Sequence, residues 1–195
     1  MGQWANYLNE VGMLNRTPRS GLEFLGTGEQ SVAEHIHRML HIAFVLARTS
    51  DKQVDMLRLL HLVLFHDLPK ARTGDHNYVN RKYVTEDMER LLDEGAREWP
   101  FGDEITAYIR EFEVGETAEA HLARDADQLE WLLMLKEQAD LGQPHVDEWI
   151  TPLLARLKTD VGKQLAEEIL ATPWDDWWFN QKGDPHWVHG SRPVP

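Results

Sequence analysis

VDMLRLLHLVLFHD, residues 54–67, is the most apolar stretch of the chain, and it decides the fold. Its apolar residues fall on nearly every side of a helix, which is typical of a helix at the centre of a core. We therefore predict a helix over residues 51–67, ended or kinked by Pro69, which lacks a backbone donor. His66 and Asp67 would then be buried, which costs free energy unless both are satisfied. Ligation of a metal ion would satisfy both.

Helical signals continue on both sides of this stretch. Ser31 and Glu34 form a capping-box pattern that predicts a helix running to about Arg48. Residues 15–30 contain proline and glycines and are expected to form a loop. Further helices are predicted over residues 4–14, 85–98, 103–112, 118–140, 145–157 and 160–171.

No stretch alternates with the period of a strand, and no linker divides the chain. The predicted fold class is therefore all-α, a single helical bundle over residues 1–195. Its core is expected at about residues 8–140, followed by C-terminal helices and an aromatic tail at 145–195. The tryptophans of the tail are too apolar for a free end and are expected to fold back on the domain or to cover a subunit contact.

Composition narrows the function classes. The 195 residues contain no cysteine, so thiolate metal sites are excluded and any metal must be bound by His, Asp or Glu. The formal net charge of −13 disfavours nucleic-acid polymers and anionic membranes as partners. No apolar run is long enough to span a bilayer, and the N-terminus lacks the order of a signal peptide, so a cytoplasmic location is expected.

Two further polar residues lie on predicted core helices. His35 begins the helix that precedes the apolar one, so antiparallel packing of the two would bring it close to His66. Asp127 lies on an apolar stripe of the 118–140 helix, where a carboxylate needs a partner. With Asp67, these residues form a donor set suited to metal-assisted hydrolysis.

The order H…HD…D resembles the HD superfamily of metal-dependent phosphohydrolases. The similarity extends to the 5′-deoxynucleotidase branch through LNRTPRSG (14–21), SVAEHIHRM (31–39), HDLPKARTGD (66–75) and EFEVGETAEAHLARDADQLE (111–130). The resemblance implies an all-α HD domain, commonly a homodimer. It also implies removal of the 5′-phosphate of deoxynucleoside monophosphates with the help of a divalent ion.

By this resemblance the metal ligands are His35, His66, Asp67 and Asp127. Asp125 competes with Asp127, which fits the apolar stripe better. One divalent ion is expected, and Mn, Co, Fe, Ni, Zn and Mg all suit such ligands. A diiron oxygenase is a less favoured alternative, because such members add histidines between the HD pair and the last aspartate.

The same motifs imply residues for the reaction. Asp75 matches an aspartate implicated in catalysis and would orient or deprotonate the attacking water. Arg16 matches the phosphate-binding arginine, with Arg19 as a second candidate, since a guanidinium binds phosphate in a bidentate manner.

Lys70 departs from the family pattern, because it stands where the family has a glutamate thought to assist the water. An ammonium does not act as a general base unless its pKa falls strongly. One interpretation is that Lys70 binds the substrate phosphate and leaves Asp75 as the base. The alternative is a protein that binds metal and nucleotide with little or no turnover.

Overall fold

The computed structural model describes residues 2–180 and 183–190, which form helices joined by loops. Among these residues β pairing is limited to one isolated bridge between Pro18 and Ser31, which confirms the all-α class. The helices are α1 (Gln3–Val11), α2 (Ser20–Leu25), α3 (Val32–Thr49), α4 (Met56–Phe65), α5 (Lys70–Thr73), α6 (Met88–Glu98), α7 (Gly102–Val114), α8 (Ala118–Asp140), α9 (Val146–Leu154), α10 (Asp160–Ala171), α11 (Asp176–Phe179) and α12 (Pro185–His189), with short 3-10 helices at Gly12–Asn15 and Asn80–Lys82. In the described part of the chain no helix is long and apolar enough to cross a membrane.

Helices α3, α4 and α8 pack against one another and form the centre of the core. α3 begins with the predicted capping box, in which the Ser31 and Glu34 side chains each bond the other's backbone N–H. Fully buried side chains from the three helices fill the space between them, among them Met39, Leu46, Leu59, Leu62, Leu129 and Leu132. The rings of His35 at the start of α3 and His66 at the end of α4 have centres 5.7 Å apart, and Asp127 of α8 lies 3.2 Å from His35, so the three helices meet there.

The apolar stretch forms α4, but its start and its outer face differ from the prediction. The helix begins at Met56 rather than residue 51, because the Asp55 side chain accepts a hydrogen bond from Arg58 N at 3.0 Å and caps it. Leu57 and Leu64 are 65% and 44% exposed. The apolar character all round the helix therefore overstates how much of it is buried.

Residues 15–30 are not a continuous loop as predicted, because they contain α2. Leu22 and Leu25 on this short helix are buried in the main core, and Gly26 ends it in the left-handed conformation at φ 77°. A helix this short depends on tertiary packing, so its sequence carries little periodic signal. α2 places Ser20 and Arg19 beside the end of α4.

The later helices agree better with the sequence. α8 and α10 have the predicted bounds of 118–140 and 160–171, whereas Asp87 rather than Thr85 caps α6. In the tail, the Trp178 ring packs against Trp174, Phe179 and Trp187. Residues 1, 181–182 and 191–195 of the predicted domain lie outside the described residues.

Candidate metal centre

Three of the four predicted metal ligands converge where α3, α4 and α8 meet. His35 comes from the first turn of α3, His66 follows the last residue of α4, and Asp127 lies in the middle of α8. One ligand atom from each lies within 4.8 Å of the others. Among the described residues this is the group of His, Asp and Glu whose spacing suits a metal ion.

The outer nitrogen of each imidazole is fixed by an acceptor. His35 Nδ1 lies 2.6 Å from Glu130 Oε2, and His66 Nδ1 lies 2.8 Å from the Val63 carbonyl oxygen. Both partners only accept, so both Nδ1 atoms carry a proton, and in the neutral ring each Nε2 atom presents a lone pair. This outer hydrogen bond is typical of metal-binding histidines.

The inner nitrogens provide the test of whether a metal fits. His35 Nε2 and His66 Nε2 are buried and have no hydrogen-bond partner among the described residues. Asp127 Oδ1 lies 3.2 Å from His35 Nε2 without forming a hydrogen bond. Buried nitrogens without partners are costly, and a divalent cation would satisfy both lone pairs and the Asp127 carboxylate.

Glu130 is the supporting residue that sequence reasoning missed. It is fully buried, and its Oε1 accepts from Gln30 Nε2 at 2.6 Å and from Arg38 Nε at 2.9 Å and Nη2 at 2.6 Å. Burial alone would raise the pKa of Glu130, but the hydrogen bond to His35 and the Arg38 cation lower it to about 2. Its position three residues after Asp127, on the same helix face, was the available signal.

Asp67 lies beside the cluster and is held by Lys70. Its Oδ1 is 3.4 Å from His66 Nε2 and its Oδ2 is 3.8 Å from His35 Nε2, but Oδ2 also accepts from Lys70 Nζ at 2.8 Å. Burial would raise the pKa of Asp67, yet His66 and Lys70 hold it well below its usual value. The carboxylate is therefore ionised and adjacent to the three converging ligands.

Lys70 joins Asp67 to Asp75, the predicted catalytic residue. Lys70 Nζ lies 2.6 Å from Asp75 Oδ1, while Asp75 Oδ2 accepts from Ser20 N at 2.9 Å and Ser20 Oγ at 3.2 Å. Burial opposes ionisation of Asp75, but Lys70 and Arg19 lower its pKa. Asp75 is thus an oriented, ionised acceptor close to the candidate metal ligands.

The two candidate arginines have different surroundings. Arg19 lines the cleft, and its guanidinium lies 5.7 Å from the centre of the Trp131 ring. Burial would raise the pKa of Asp127, but the adjacent His35 and then the Arg19 cation lower it. Arg16 is exposed and is not part of the cleft lining in the described region. The geometry favours Arg19, and a substrate role for Arg16 stays a prediction.

Asp125, the competitor of Asp127, has a structural role. It is fully buried and accepts hydrogen bonds from Lys158 N and Thr159 N, both at 2.8 Å, and from Thr159 Oγ1 at 2.6 Å. These contacts tie the start of α10 to α8. Its carboxylate is therefore fully used away from the histidines, which supports the choice of Asp127.

A cleft of about 1040 Å³ opens over this centre. Its inner wall includes His66, Asp67, Lys70, Asp75 and Asp127, and its outer wall comes from α8, α9 and the segment around Tyr78 and Arg81. His76 also lines the cleft but pairs with Glu86 at 2.9 Å. The space admits a small organic phosphate next to the candidate metal ligands.

Comparisons with known proteins agree with this geometry. Residues 11–170 match the HD domain family. A curated protein of Danio rerio named 5′-deoxynucleotidase HDDC2 is 28% identical over 156 residues, which is 74% of each chain.

Two solved structures share the fold. A conserved hypothetical protein from Pyrococcus furiosus has a TM-score of 0.74 at 22% identity, covering 86% of this chain and 99% of its own. A predicted metal-dependent phosphohydrolase from Magnetospirillum magnetotacticum has a TM-score of 0.67 at 24% identity, covering 86% and 89%.

Proposed function

The chain belongs to the HD domain family, and from that premise we propose that it is a divalent-metal-dependent phosphohydrolase that removes the 5′-phosphate of (deoxy)nucleoside monophosphates. The observation that carries the proposal is the pair of buried Nε2 atoms, from His35 and His66, that face Asp127 without partners of their own. The curated relative named as a 5′-deoxynucleotidase supports the substrate class.

We propose one divalent ion, bound by His35, His66, Asp67 and Asp127. Nitrogen and carboxylate donors suit Mn, Co, Fe, Ni, Zn or Mg. When bound, such an ion lowers the pKa of a water towards neutrality and stabilises charge on phosphoryl oxygens. Binding would require Asp67 Oδ2 to exchange its contact with Lys70 Nζ, or Asp67 to use Oδ1.

The protein's own residues orient the substrate and accept a proton. Asp75, kept ionised by Lys70 and oriented by Ser20, accepts the proton of the attacking water. Arg19 binds the phosphoryl oxygens from the side of Trp131, and Lys70 Nζ adds a point charge next to them. Lys70 would thus bind substrate and position Asp75.

The test is release of inorganic phosphate from a panel of nucleoside and deoxynucleoside 5′-monophosphates with each candidate metal. We expect turnover in the wild type, a loss on Asp75→Asn and binding of one metal equivalent. Wild type without turnover, together with a gain on Lys70→Glu, would establish the alternative of a metal- and nucleotide-binding protein. Two irons per chain would instead support the oxygenase.

We further propose that the chain forms a homodimer and acts in the cytoplasm on free nucleotides. Around an apolar pocket of about 320 Å³, Trp4, Leu8 and Phe101 are 69%, 65% and 73% exposed, more apolar surface than a monomer usually leaves together. Light scattering of the wild type and of Leu8→Ser tests the dimer, because a monomeric wild type contradicts it.

A further inference from the structure

One wall of the cleft is a stripe along α8. Arg124, Asp127, Gln128 and Trp131 all line the cleft, and their spacing of i, i+3, i+4 and i+7 places them on one helix face. At 1.5 Å per residue, Arg124 and Trp131 lie roughly 10 Å apart along the axis. The metal ligand Asp127 lies between them, so the cleft extends to both sides of the metal centre.

The two ends of this wall differ in chemistry. At one end Trp131 and Trp149 of α9 form an aromatic pair, with ring centres 6.1 Å apart. At the other end Arg156 and Lys158 also line the cleft, and the hydrogen bond from Lys158 N to Asp125 Oδ1 fixes that segment beside the turn that carries Arg124. We call Arg124, Arg156 and Lys158 the distal cations.

The distal cations are free to bind an anion. Arg124 and Lys158 form no ion pair among the described residues, and Arg156 donates only to the Pro152 carbonyl oxygen at 3.1 Å. The opposite holds for Arg58 and Arg110, which pair with carboxylates at 2.7 and 2.8 Å. Unpaired cations concentrated at one end of a cleft are notable in a chain with a net charge of −13.

Gly115 provides the space in which the Arg124 guanidinium lies. It ends α7 at φ 67°, and a Cβ there would lie 2.9 Å from Arg124 Cζ. Glu113, two residues before Gly115, is a carboxylate that also lines the cleft.

We propose that the distal cations form a subsite for a second phosphate group of a nucleotide whose first phosphate lies at the metal centre. The proposal rests on the proposed function for the identity of the ligand as a nucleotide. The nucleoside would extend towards Trp131 and Trp149, and the second phosphate towards Arg124. The cleft volume of about 1040 Å³ accommodates a ligand of this length.

The test measures binding of compounds whose 5′ phosphorus group the enzyme does not hydrolyse. The reference compound is the 5′-phosphonate of deoxyadenosine, in which carbon replaces the ester oxygen. Its affinity is compared with that of its methylene-bridged diphosphonate and that of its 3′-phosphate derivative. All affinities are measured by calorimetry in the presence of Mg²⁺. The last two compounds separate the two sources of a second phosphate. The variant Arg124→Gln/Lys158→Gln removes two distal cations, and Arg48→Gln/Lys163→Gln removes the same charge from exposed positions outside the cleft.

We expect the diphosphonate or the 3′-phosphate derivative to bind wild type about tenfold more tightly than the simple phosphonate. The Arg124→Gln/Lys158→Gln variant should lose that gain, while its affinity for the simple phosphonate stays within about twofold. The Arg48→Gln/Lys163→Gln control should keep the gain. Equal affinity of all three compounds for wild type, or a gain that survives in the Arg124→Gln/Lys158→Gln variant, would overturn the proposal. Failure to hydrolyse monophosphates, with this binding pattern intact, would contradict the proposed function and leave the subsite standing.

Discussion

Replacement of Glu130 by glutamine should weaken metal binding through His35. In the wild type Glu130 Oε1 accepts from Gln30 and Arg38, while Oε2 faces His35 Nδ1 at 2.6 Å. A glutamine would keep its carbonyl oxygen towards Gln30 and Arg38, since these donors need an acceptor. Its NH₂ group would then face His35 Nδ1, which favours the tautomer with the proton on Nε2, the atom that should bind the metal.

The size of the effect follows from this geometry. Loss of the outer hydrogen bond of a metal-binding histidine typically costs about 10- to 100-fold in metal affinity, or ~1.4–2.7 kcal/mol. The replacement also leaves the partly exposed Arg38 cation without an ionised partner, so a modest loss of stability should accompany it. The metal effect should be the larger of the two at neutral pH.

Calorimetric titration of metal-free protein with Mn²⁺ measures the affinity, and ¹⁵N chemical shifts of the imidazoles report which nitrogen carries the proton. Glu137→Gln on the same helix is the matched control, because Glu137 lies about two turns beyond Glu130. Thermal unfolding verifies that both variants are folded. Unchanged Mn²⁺ affinity in Glu130→Gln, with the Nδ1–H tautomer retained, would refute this account of how His35 is prepared for the metal.

Three further outcomes are expected. The fold lowers the pKa of Glu130 from 4.5 to about 2, and the resulting stabilisation is fully present above about pH 4.5. The unfolding free energy of the metal-free protein should therefore fall by roughly 1–3 kcal/mol as the pH drops towards 2. The fall should be smaller in the Glu130→Gln variant. The Asp125→Asn variant should lose about 1–3 kcal/mol of unfolding free energy, measured with denaturant, and keep its metal affinity. The Asp127→Asn variant should fold and bind metal at least about tenfold more weakly. The reverse pattern would identify Asp125 as the ligand. Mn²⁺ at 100 times its Kd should raise the unfolding free energy by ~2.7 kcal/mol, and chelation or His66→Gln should abolish the gain.

The candidate metal centre was predictable because its residues interrupt the apolar pattern that surrounds them. His66 ends an apolar helix and Asp127 interrupts an apolar stripe. Burial of either side chain without a partner would cost free energy, so each was expected to have one. His35 followed from the expectation that consecutive helices pack antiparallel. The structure brings these three together as a group.

Residues that act through other residues were harder to predict. Glu130 resembles any helix carboxylate until its donors are known, and those come from distant parts of the chain. Arg19 and Arg16 are indistinguishable by chemistry, and only α2, a helix without periodic signal, determines which of the two reaches the cleft. Likewise, the contact of Lys70 with two carboxylates depends on the turn that follows α4.

Several functional and structural residues lie close together on α8, and this limits where the chain can gain or lose residues. Within residues 125–131 the helix carries a tie to α10, a candidate metal ligand, the support of His35 and one wall of the cleft. One inserted or deleted residue there would turn everything beyond it by about 100°. The functional residues on the two sides of the change would then lose their register with each other. Insertions and deletions among homologues should therefore collect in loops that do not line the cleft, such as residues 50–55 between α3 and α4, where the chain can lengthen without moving one functional group against another.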